Sequence, residues 1–352
     1  MTSTDNSILK TFHFIAVFII ILAGIAVSQN IIELILLALF FTIITLHPVL
    51  LLEKKKVPYT LAIVIVLLII SLITFVFIAI IGSSASDFMS DLPLYSEKLS
   101  KIITGSIASL NNLGLNINEQ QLTELIDTKR ILSFTTVAVS ELGALLSDYF
   151  LIILIMIFML LEFKNFSLKI DLIEKKFGKS MKHLNEIAKS IRHYLSIKTY
   201  VSILTGVLIW ISLTIIGVNY AILWGLIAFL LNYIPNIGSL LAAVPTVLFA
   251  LLQLGLGGFI WTSLSYLLIN MIIGNIIEPK IMGKGLGLST LVVFVSLIVW
   301  GFLLGTAGVF LSVPITIAVK ILLEQNKKTH WIAVLLGSSK ETKQIEQMYG
   351  QK

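Results

Sequence analysis

The sequence predicts an all-α, polytopic membrane protein, and three observations lead to this prediction. Hydrophobic residues make up 57% of the 352 positions and charged residues only 12%, and the mean hydropathy is +1.00. Apolar runs also recur along the chain, and most approach the ~20 residues that cross a bilayer as a helix. The runs cover residues 12–27, 31–52, 57–81, 142–161, 201–216, 221–252, 259–277 and 291–323. We expect about six full spans plus two re-entrant helical hairpins, or alternatively eight spans.

Residues 1–81 hold the first three runs and set the orientation of the chain. The first two runs are joined only by "SQN", so they form a hairpin, which ends at "EKKK" (residues 53–56). By the positive-inside rule this end is cytoplasmic, and so is the N-terminus. No small-residue cleavage pattern follows the first run, so we expect a span there rather than a signal peptide.

The next two segments are predicted to lie on opposite sides of the membrane. Residues 82–134 contain four basic residues against six acidic ones and are read as an amphipathic helical segment outside. The fourth span, 135–162, returns inward to a basic amphipathic helix over 163–197, with nine Lys or Arg residues between Lys164 and Lys198. We expect this helix to lie along the membrane surface, rather than to be a dedicated partner-binding helix.

Residues 198–323 are predicted to form a transport core of two similar halves, 198–252 and 258–323. Each half contains one ordinary span and then a long apolar run with a break in it. The break reads "NYIPNIG" in the first half and "WGFLLGTAG" in the second. If each long run enters the membrane and turns back as a hairpin, the two halves form an inverted repeat.

Glycine and proline recur at matching places in the two halves. Gly217 precedes Pro245 by 28 residues, and Gly287 precedes Pro314 by 27. The hairpin arrangement places 21 of the 25 basic residues inside, whereas the arrangement in which every run crosses places 19 there. Both arrangements leave a cytoplasmic tail over 324–352. The repeat favours the hairpins over the eight spans.

The two breaks are the first candidate functional sites. Irregular backbone at membrane depth persists only where protein or water covers it, and helix ends with free N–H and C=O groups can bind a polar solute or an ion. Paired interrupted segments in corresponding halves are the sequence sign of a transport site. The candidates for substrate binding or gating are Asn232, Pro235, Asn236, Gly238 and Pro245 in the first run, and Gly301, Gly305, Gly308 and Pro314 in the second.

A second candidate is the acid that ends the span before the second hairpin. Asn270 and Asn275 precede Glu278 by one to two turns, which places the three near one helix face. An acid there can coordinate a cation, carry a proton or orient a solute. It can equally be a boundary charge paired with Lys280 or Lys284. Other acids near the ends of spans are read as boundary charges: Glu33, Glu141, Asp148 and Glu162.

Several functional classes are excluded or disfavoured. The chain has no cysteine, which removes disulfides, thiol nucleophiles and thiolate metal sites. It has no HExxH, no GxSxG and no P-loop, so neither an intramembrane enzyme nor ATP hydrolysis is expected. The surplus of Lys and Arg reflects membrane orientation and not nucleic-acid binding. We expect no catalytic residue, no metal and no cofactor.

At these motifs the chain resembles the autoinducer-2 exporter family of bacterial membrane proteins. The matching stretches include "GVNYAILWGLIAFLLNYIPNIGSLLAAVP" and "NIIEPKIMGKGLGLSTLVVFVSLIVWGFLLGTAGVFLSVP", with "EKKKVP" matching more loosely. Specific matching covers residues 198–320. Ser239 replaces a proline of the family pattern, and Ser289 with Thr290 replaces His-Pro, so no histidine acts in that loop. The resemblance implies that functional residues of the family occur in both motifs. In the first motif they are Asn232, Pro235, Gly238 and Pro245, and in the second they are Glu278, Pro279, Gly283, Gly287, Gly305 and Pro314.

The resemblance implies a secondary transporter and leaves its substrate open. The leading hypothesis is export of a small polar solute such as the quorum-sensing signal autoinducer-2, with the two hairpin tips meeting near mid-membrane. The alternative is a sodium (lithium)/proton antiporter that uses Glu278, and a scaffold or passive pore is a further one. We expect a bacterial cytoplasmic (inner) membrane protein with both termini inside. Its expected partners are a small-molecule or ion substrate, the lipid bilayer and further copies of the chain in a homo-oligomer.

Overall fold

The structure is a computed structural model, and it describes residues 16–17, 20–21, 23–112, 149–177, 182–235, 237–282, 287–326 and 328–338. All of the regular elements among these residues are helices, which confirms the all-α prediction. They are α1 (Gln29–Lys54), α2 (Tyr59–Asn112), α3 (Tyr149–Phe177), α4 (Lys182–Ile216), α5 (Ala221–Leu231), α6 (Gly238–Ile272), a π-helix (Ile273–Ile277), α7 (Glu278–Met282), α8 (Thr290–Glu324) and α9 (His330–Leu336).

Six helical stretches among the described residues are long and apolar enough to cross a membrane. They are Gln29–Lys54, Tyr59–Ser84, Tyr149–Lys176, Glu186–Ile216, Gly238–Met282 and Thr290–Glu324. The first predicted span, 12–27, is described only in part. Residues 113–148, which include Glu141 and Asp148, lie outside the described residues, as do Asn236, Gly283 and Lys284. The protein is therefore a polytopic membrane protein, as predicted.

Two predicted segments turn out to be continuations of spanning helices. α2 runs without a break through the predicted boundary at residue 82 and reaches Asn112. The basic segment 163–197 forms the end of α3 and the beginning of α4, and α4 continues directly into the fifth span. No helix-breaking residue separates "SIKTYVS" from the apolar residues after it. The basic segment is therefore divided between two long helices, and its position along the membrane surface stays a prediction.

The chain divides into two compact units. The first consists of Met1–Ile63, Phe150–Ser196 and Lys284–Lys352. In it α1 packs against α3 and α8: Thr45 Oγ1 lies 3.7 Å from the Met156 sulfur, and Ala38, Val49 and Leu160 are fully buried.

The second unit consists of Val64–Tyr149 and Ile197–Gly283. Its core is built from α4, α5 and α6 around the fully buried Trp224. Gly206 and Gly225 let α4 and α5 approach closely, because a Cβ on Gly225 would lie 2.8 Å from the Gly206 carbonyl oxygen. Tyr220 Oη donates to Asp91 Oδ2 at 2.8 Å, which fastens the far part of α2 to the start of α5.

Both long apolar runs double back as helical hairpins. Within α8 the chain turns at Gly305, and the Trp300 indole N–H donates to Thr316 Oγ1 at 3.0 Å. In a straight helix these residues would be about 24 Å apart. In the other hairpin α5 and the first part of α6 are the arms, and residues 232–237 form the tip. α6 turns again at Gly255, since Thr246 Oγ1 and Tyr266 Oη lie 3.0 Å apart.

The bases of the two hairpins are closed in the same way. In the first hairpin, Gln253 Nε2 donates to the carbonyl oxygen of Gly217 at 2.9 Å. In the second, Lys320 Nζ donates to the carbonyl oxygen of Gly287 at 2.8 Å. Both glycines have positive φ, 87° and 65°, a conformation that glycine adopts at little cost. The matching Gly-to-Pro spacings therefore mark hairpins with equivalent bases.

One ion pair distinguishes the distances that the two predicted arrangements of the spans would give. Lys198 lies at the start of the fifth span, and its Nζ is 2.8 Å from Glu278 Oε1 at the end of the sixth. If every run crossed the membrane once, these two residues would lie on opposite sides, about 30 Å apart. The contact therefore favours the arrangement with two hairpins over eight spans.

Candidate functional site

The tip of the first hairpin is an irregular turn in which several of the described backbone donors are satisfied. Pro235 lacks an N–H and disfavours helix at Ile234, so α5 ends at Leu231. The N–H groups of Ile234 and Gly238 donate to the carbonyl oxygens of Leu231 and Ile234 at 2.9 and 3.1 Å. These donors are satisfied within the turn, and a site formed by free helix-end groups stays a prediction.

Gly238 makes this tight turn possible. A Cβ on Gly238 would lie 1.7 Å from the Leu231 carbonyl oxygen, which is a severe overlap with backbone. Pro245, one to two turns further along α6, is buried within the helix. These two residues therefore shape the tip and its arm.

Two side chains of the tip are held by neutral hydrogen bonds to α4. Asn232 Nδ2 donates to Ser202 Oγ at 3.1 Å, and Tyr233 Oη donates to Thr199 Oγ1 at 2.9 Å. Asn232 and Tyr233 are buried, and Ser202 is fully so. Amide and hydroxyl groups thus meet in a nearly closed, uncharged polar patch.

The Lys198–Glu278 pair lies one helical turn from this patch, because Lys198 and Ser202 are spaced i, i+4 on α4. The Lys198 side chain is only 3% exposed, and that of Glu278 is 20% exposed. Glu278 was expected to pair with Lys280 or Lys284 if it was a boundary charge, and the partner is instead Lys198. Ile197, Val201 and Ile273 form the apolar wall beside the pair. We call Lys198, Thr199, Ser202, Asn232, Tyr233 and Glu278 the tip cluster.

The π-helix brings Glu278 to its partner. Its wider turn changes the spacing on which the predicted common face of Asn270, Asn275 and Glu278 rested. Asn275 is exposed, whereas Asn270 and Glu278 are half-buried. Pro279, in the first turn of α7, is exposed. Of these predicted site residues, only Glu278 joins the tip cluster.

The tip of the second hairpin is a single residue held by a carboxylate. Gly305 has φ 59° and ψ −146°, a region that is nearly exclusive to glycine. Glu33 of α1 accepts hydrogen bonds from the Thr306 hydroxyl and, at 3.1 Å, from the Ala307 N–H. An acid at the start of the returning arm also interacts favourably with the helix dipole. A Cβ on Gly305 would lie 2.4 Å from Gln29 Nε2.

The remaining predicted residues of the second hairpin allow its arms to approach. A Cβ on Gly308 would lie 1.9 Å from the Trp300 carbonyl oxygen, and one on Gly301 would lie 2.8 Å from Val309 Cγ2. Pro314 is buried in the returning arm. Atoms of the neighbouring turn occupy the space beside Gly301 and Gly308, so these glycines allow the arms to pack closely. Gly305 alone forms the tip.

Each tip contacts one neighbouring long helix, the first tip α4 and the second tip α1. Thr199 and Ser202 are at the start of the apolar run 201–216, about 21 Å along α4 from the end near Gly217 where the first hairpin begins. Glu33 is about one turn into α1, after the bend at Ser28. The meeting of the two tips near mid-membrane stays a prediction.

Sequence reasoning missed four members of the tip cluster and the role of Glu33. Lys198 is predicted from the sequence only as one of the basic residues of a cytoplasmic segment. Lys198, Thr199 and Ser202 are in fact polar residues grouped at the start of an apolar run, which is a signal that could have identified them. Glu33 was read as a boundary charge. Among the described residues no group of three His, Asp or Glu side chains could hold a metal ion.

Comparison with known proteins identifies transport proteins as relatives of this chain. Residues 15–328 match the family described as AI-2E family transporter. A putative transport protein of Haemophilus influenzae is 39% identical, over 95% of this chain and 98% of its own. The AI-2 transport protein TqsA of Escherichia coli is 40% identical, over 94% of this chain and 96% of its own. A putative transport protein of Borreliella burgdorferi is 31% identical, over 73% and 70% of the two chains.

Proposed function

Because this chain belongs to the AI-2E family of transporters, we propose that it exports a small, uncharged polar solute such as autoinducer-2, and that the solute binds at the tip cluster. Its similarity to the AI-2 transport protein TqsA of Escherichia coli supports this substrate class. We further propose that it lies in the bacterial cytoplasmic membrane with both termini inside, because most basic residues then lie on the cytoplasmic side, and that it assembles as a homo-oligomer.

The chemistry of the tip cluster is the observation that carries this proposal. The hydrogen bonds of Asn232 to Ser202 and of Tyr233 to Thr199 join neutral groups. A solute hydroxyl or carbonyl can replace either partner without moving a charge into the membrane. A neutral hydrogen bond contributes about 1 kcal/mol net, so exchanging one for another costs little. The cluster therefore suits a hydroxylated neutral solute.

The hairpin provides a movable element next to this patch. Its base is at Gly217, and α6 turns again at Gly255, where φ is 72°. Glycines in these conformations can absorb backbone rotation while the helical arms stay rigid. Opening the tip would break its hydrogen bonds to α4, and rotation close to the tip would leave the α4–α5 packing at Gly206 and Gly225 in place. In this mechanism the binding groups alternate between bonding each other and bonding the solute.

The ion pair favours this function over cation/proton exchange. Glu278 already has a buried ammonium partner at 2.8 Å. A sodium ion would have to displace Lys198 and leave a buried positive charge beside it, which is costly. We therefore assign Glu278 a positioning role: with Lys198 it fixes the end of the sixth span against α4.

Flux measurements in proteoliposomes of purified protein test the proposal. We expect release of autoinducer-2 by the wild type and a half-saturating concentration raised about fivefold by Asn232→Ala or Ser202→Ala, since one solute hydrogen bond of about 1 kcal/mol is lost. Thr214→Ala is the matched control on α4, because this exposed hydroxyl bonds only to its own helix, at Trp210 O. Wild-type sodium-driven proton movement without autoinducer-2 flux would overturn the substrate class. Unchanged flux in both tip variants would overturn the site.

A further inference from the structure

A groove runs along the first part of α4, before the helix reaches the apolar residues of the fifth span. It is open to solvent, it has a volume of about 860 Å³, and its described lining falls within residues 186–196. Lys189, Arg192, His193 and Ser196 line it at spacing i, i+3, i+4, i+7, which places them on one face of the helix. This face carries two permanent positive charges, an imidazole and a hydroxyl.

The Arg192 side chain indicates what the groove can bind. Its Nε is buried and has no hydrogen-bond partner among the described residues, and such a donor is costly to leave unsatisfied. Guanidinium groups match phosphate oxygens in geometry and charge. Lys189, His193 and Ser196 are exposed and can also donate. The one acid of the lining, Glu186, lies at the end furthest from the apolar run. An anionic ligand with several oxygen acceptors would satisfy this face.

We propose that the groove binds the phosphate-containing headgroup of an anionic phospholipid. Along α4, Ser196 and Arg192 precede the apolar run at Val201 by about 7 and 13 Å. Tyr200, at the start of that run, is 59% exposed, and aromatic residues take such positions at the membrane interface. The groove therefore opens at headgroup depth. Clusters of Lys and Arg beside a spanning helix attract the anionic lipids of the inner leaflet.

Lipid titration of the whole protein tests this site without reference to transport. Purified protein in an uncharged detergent is titrated with fluorescent phosphatidylglycerol, and with fluorescent phosphatidylcholine as the neutral lipid. The variant Lys189→Gln with Arg192→Gln should bind phosphatidylglycerol about thirtyfold more weakly, the loss expected for two cationic contacts to an anionic headgroup. Its control is Lys175→Gln with Lys176→Gln, which removes the same charge from exposed positions at the end of α3.

The remaining measurements distinguish a lipid-headgroup site from diffuse surface charge and from a site for soluble anions. Ser196→Leu keeps every charge and fills the groove, so it should also weaken binding, and it stands in if the double variant fails to fold. Equal losses in the two double variants would show diffuse surface charge and overturn the site. Displacement of the labelled lipid by inorganic phosphate at similar concentration would overturn a lipid as the ligand, and so would equal binding of the two labelled lipids.

Discussion

The two hairpins have equivalent bases and different tips. Both bases are closed by a side chain of the returning arm that donates to the carbonyl oxygen of a glycine with positive φ. The first tip is a six-residue turn held by neutral hydrogen bonds beside an ion pair, whereas the second is one glycine held by a carboxylate. The repeated part is thus the anchoring of the hairpin. The tips have diverged in the chemistry that they present.

The largest effect should come from the charge beside the first tip. Glu278→Gln leaves the nearly buried ammonium of Lys198 without a counter-ion, so the free energy of unfolding should fall by about 3 kcal/mol or more. Glu33→Gln, its counterpart at the second tip, keeps an acceptor oxygen and should cost about 1 kcal/mol. Titration with sodium dodecyl sulfate in bicelles measures both. A larger loss for Glu33→Gln would reverse the comparison.

A double substitution sharpens this result. Lys198→Met combined with Glu278→Met removes both charges, so much of the stability lost in Glu278→Gln should return. A double variant as unstable as the single one would mean that the pair is needed for its hydrogen bond and not for charge balance.

The second tip should depend on its glycine. Gly305→Ala forces a side chain into a backbone region nearly restricted to glycine and into contact with Gln29, so we expect a loss of about 2 kcal/mol. Gly257→Ala is the control, because a Cβ there would meet nothing within 4 Å. Thermal unfolding in detergent compares the two. If both variants melt at the wild-type temperature, the single-residue tip is not a constraint on this fold.

The smallest effects should come from the bases. Lys320→Met removes a nearly buried donor to the Gly287 carbonyl oxygen and should cost about 1 kcal/mol. Gln253→Leu breaks two exposed bonds, one to the Gly217 carbonyl oxygen and one from the Asn219 N–H, and because both are exposed its cost should be about half of that. Gln325→Leu, at an exposed position just after α8, serves as the control in the same unfolding assay. Losses no larger than the control's would mean that the bases are held by packing alone.

The hairpins could be predicted from the sequence because their signals are local. Proline, glycine and apolar runs within about 30 residues of one another determine where an arm can begin, break and return. The contacts of the tips are not local. Glu33 and Ala307 are 274 residues apart, and Lys198 and Glu278 are 80 apart. The five-residue π-helix also changes the side-chain spacing that a regular helix would have, so the face of Glu278 could not be read from residue numbers.

α2 is 54 residues long, and only Tyr59–Ser84 is apolar enough to lie in the bilayer. About 40 Å of helix therefore extends past the membrane part, and Asp91 fastens this extension to Tyr220 at the foot of the first hairpin. A rod of that length acts as a lever arm: a tilt of about 10° at the membrane displaces its far end by about 7 Å. Small rotations of the hairpin would thus be magnified into a displacement large enough for a distance probe at the end of α2 to follow.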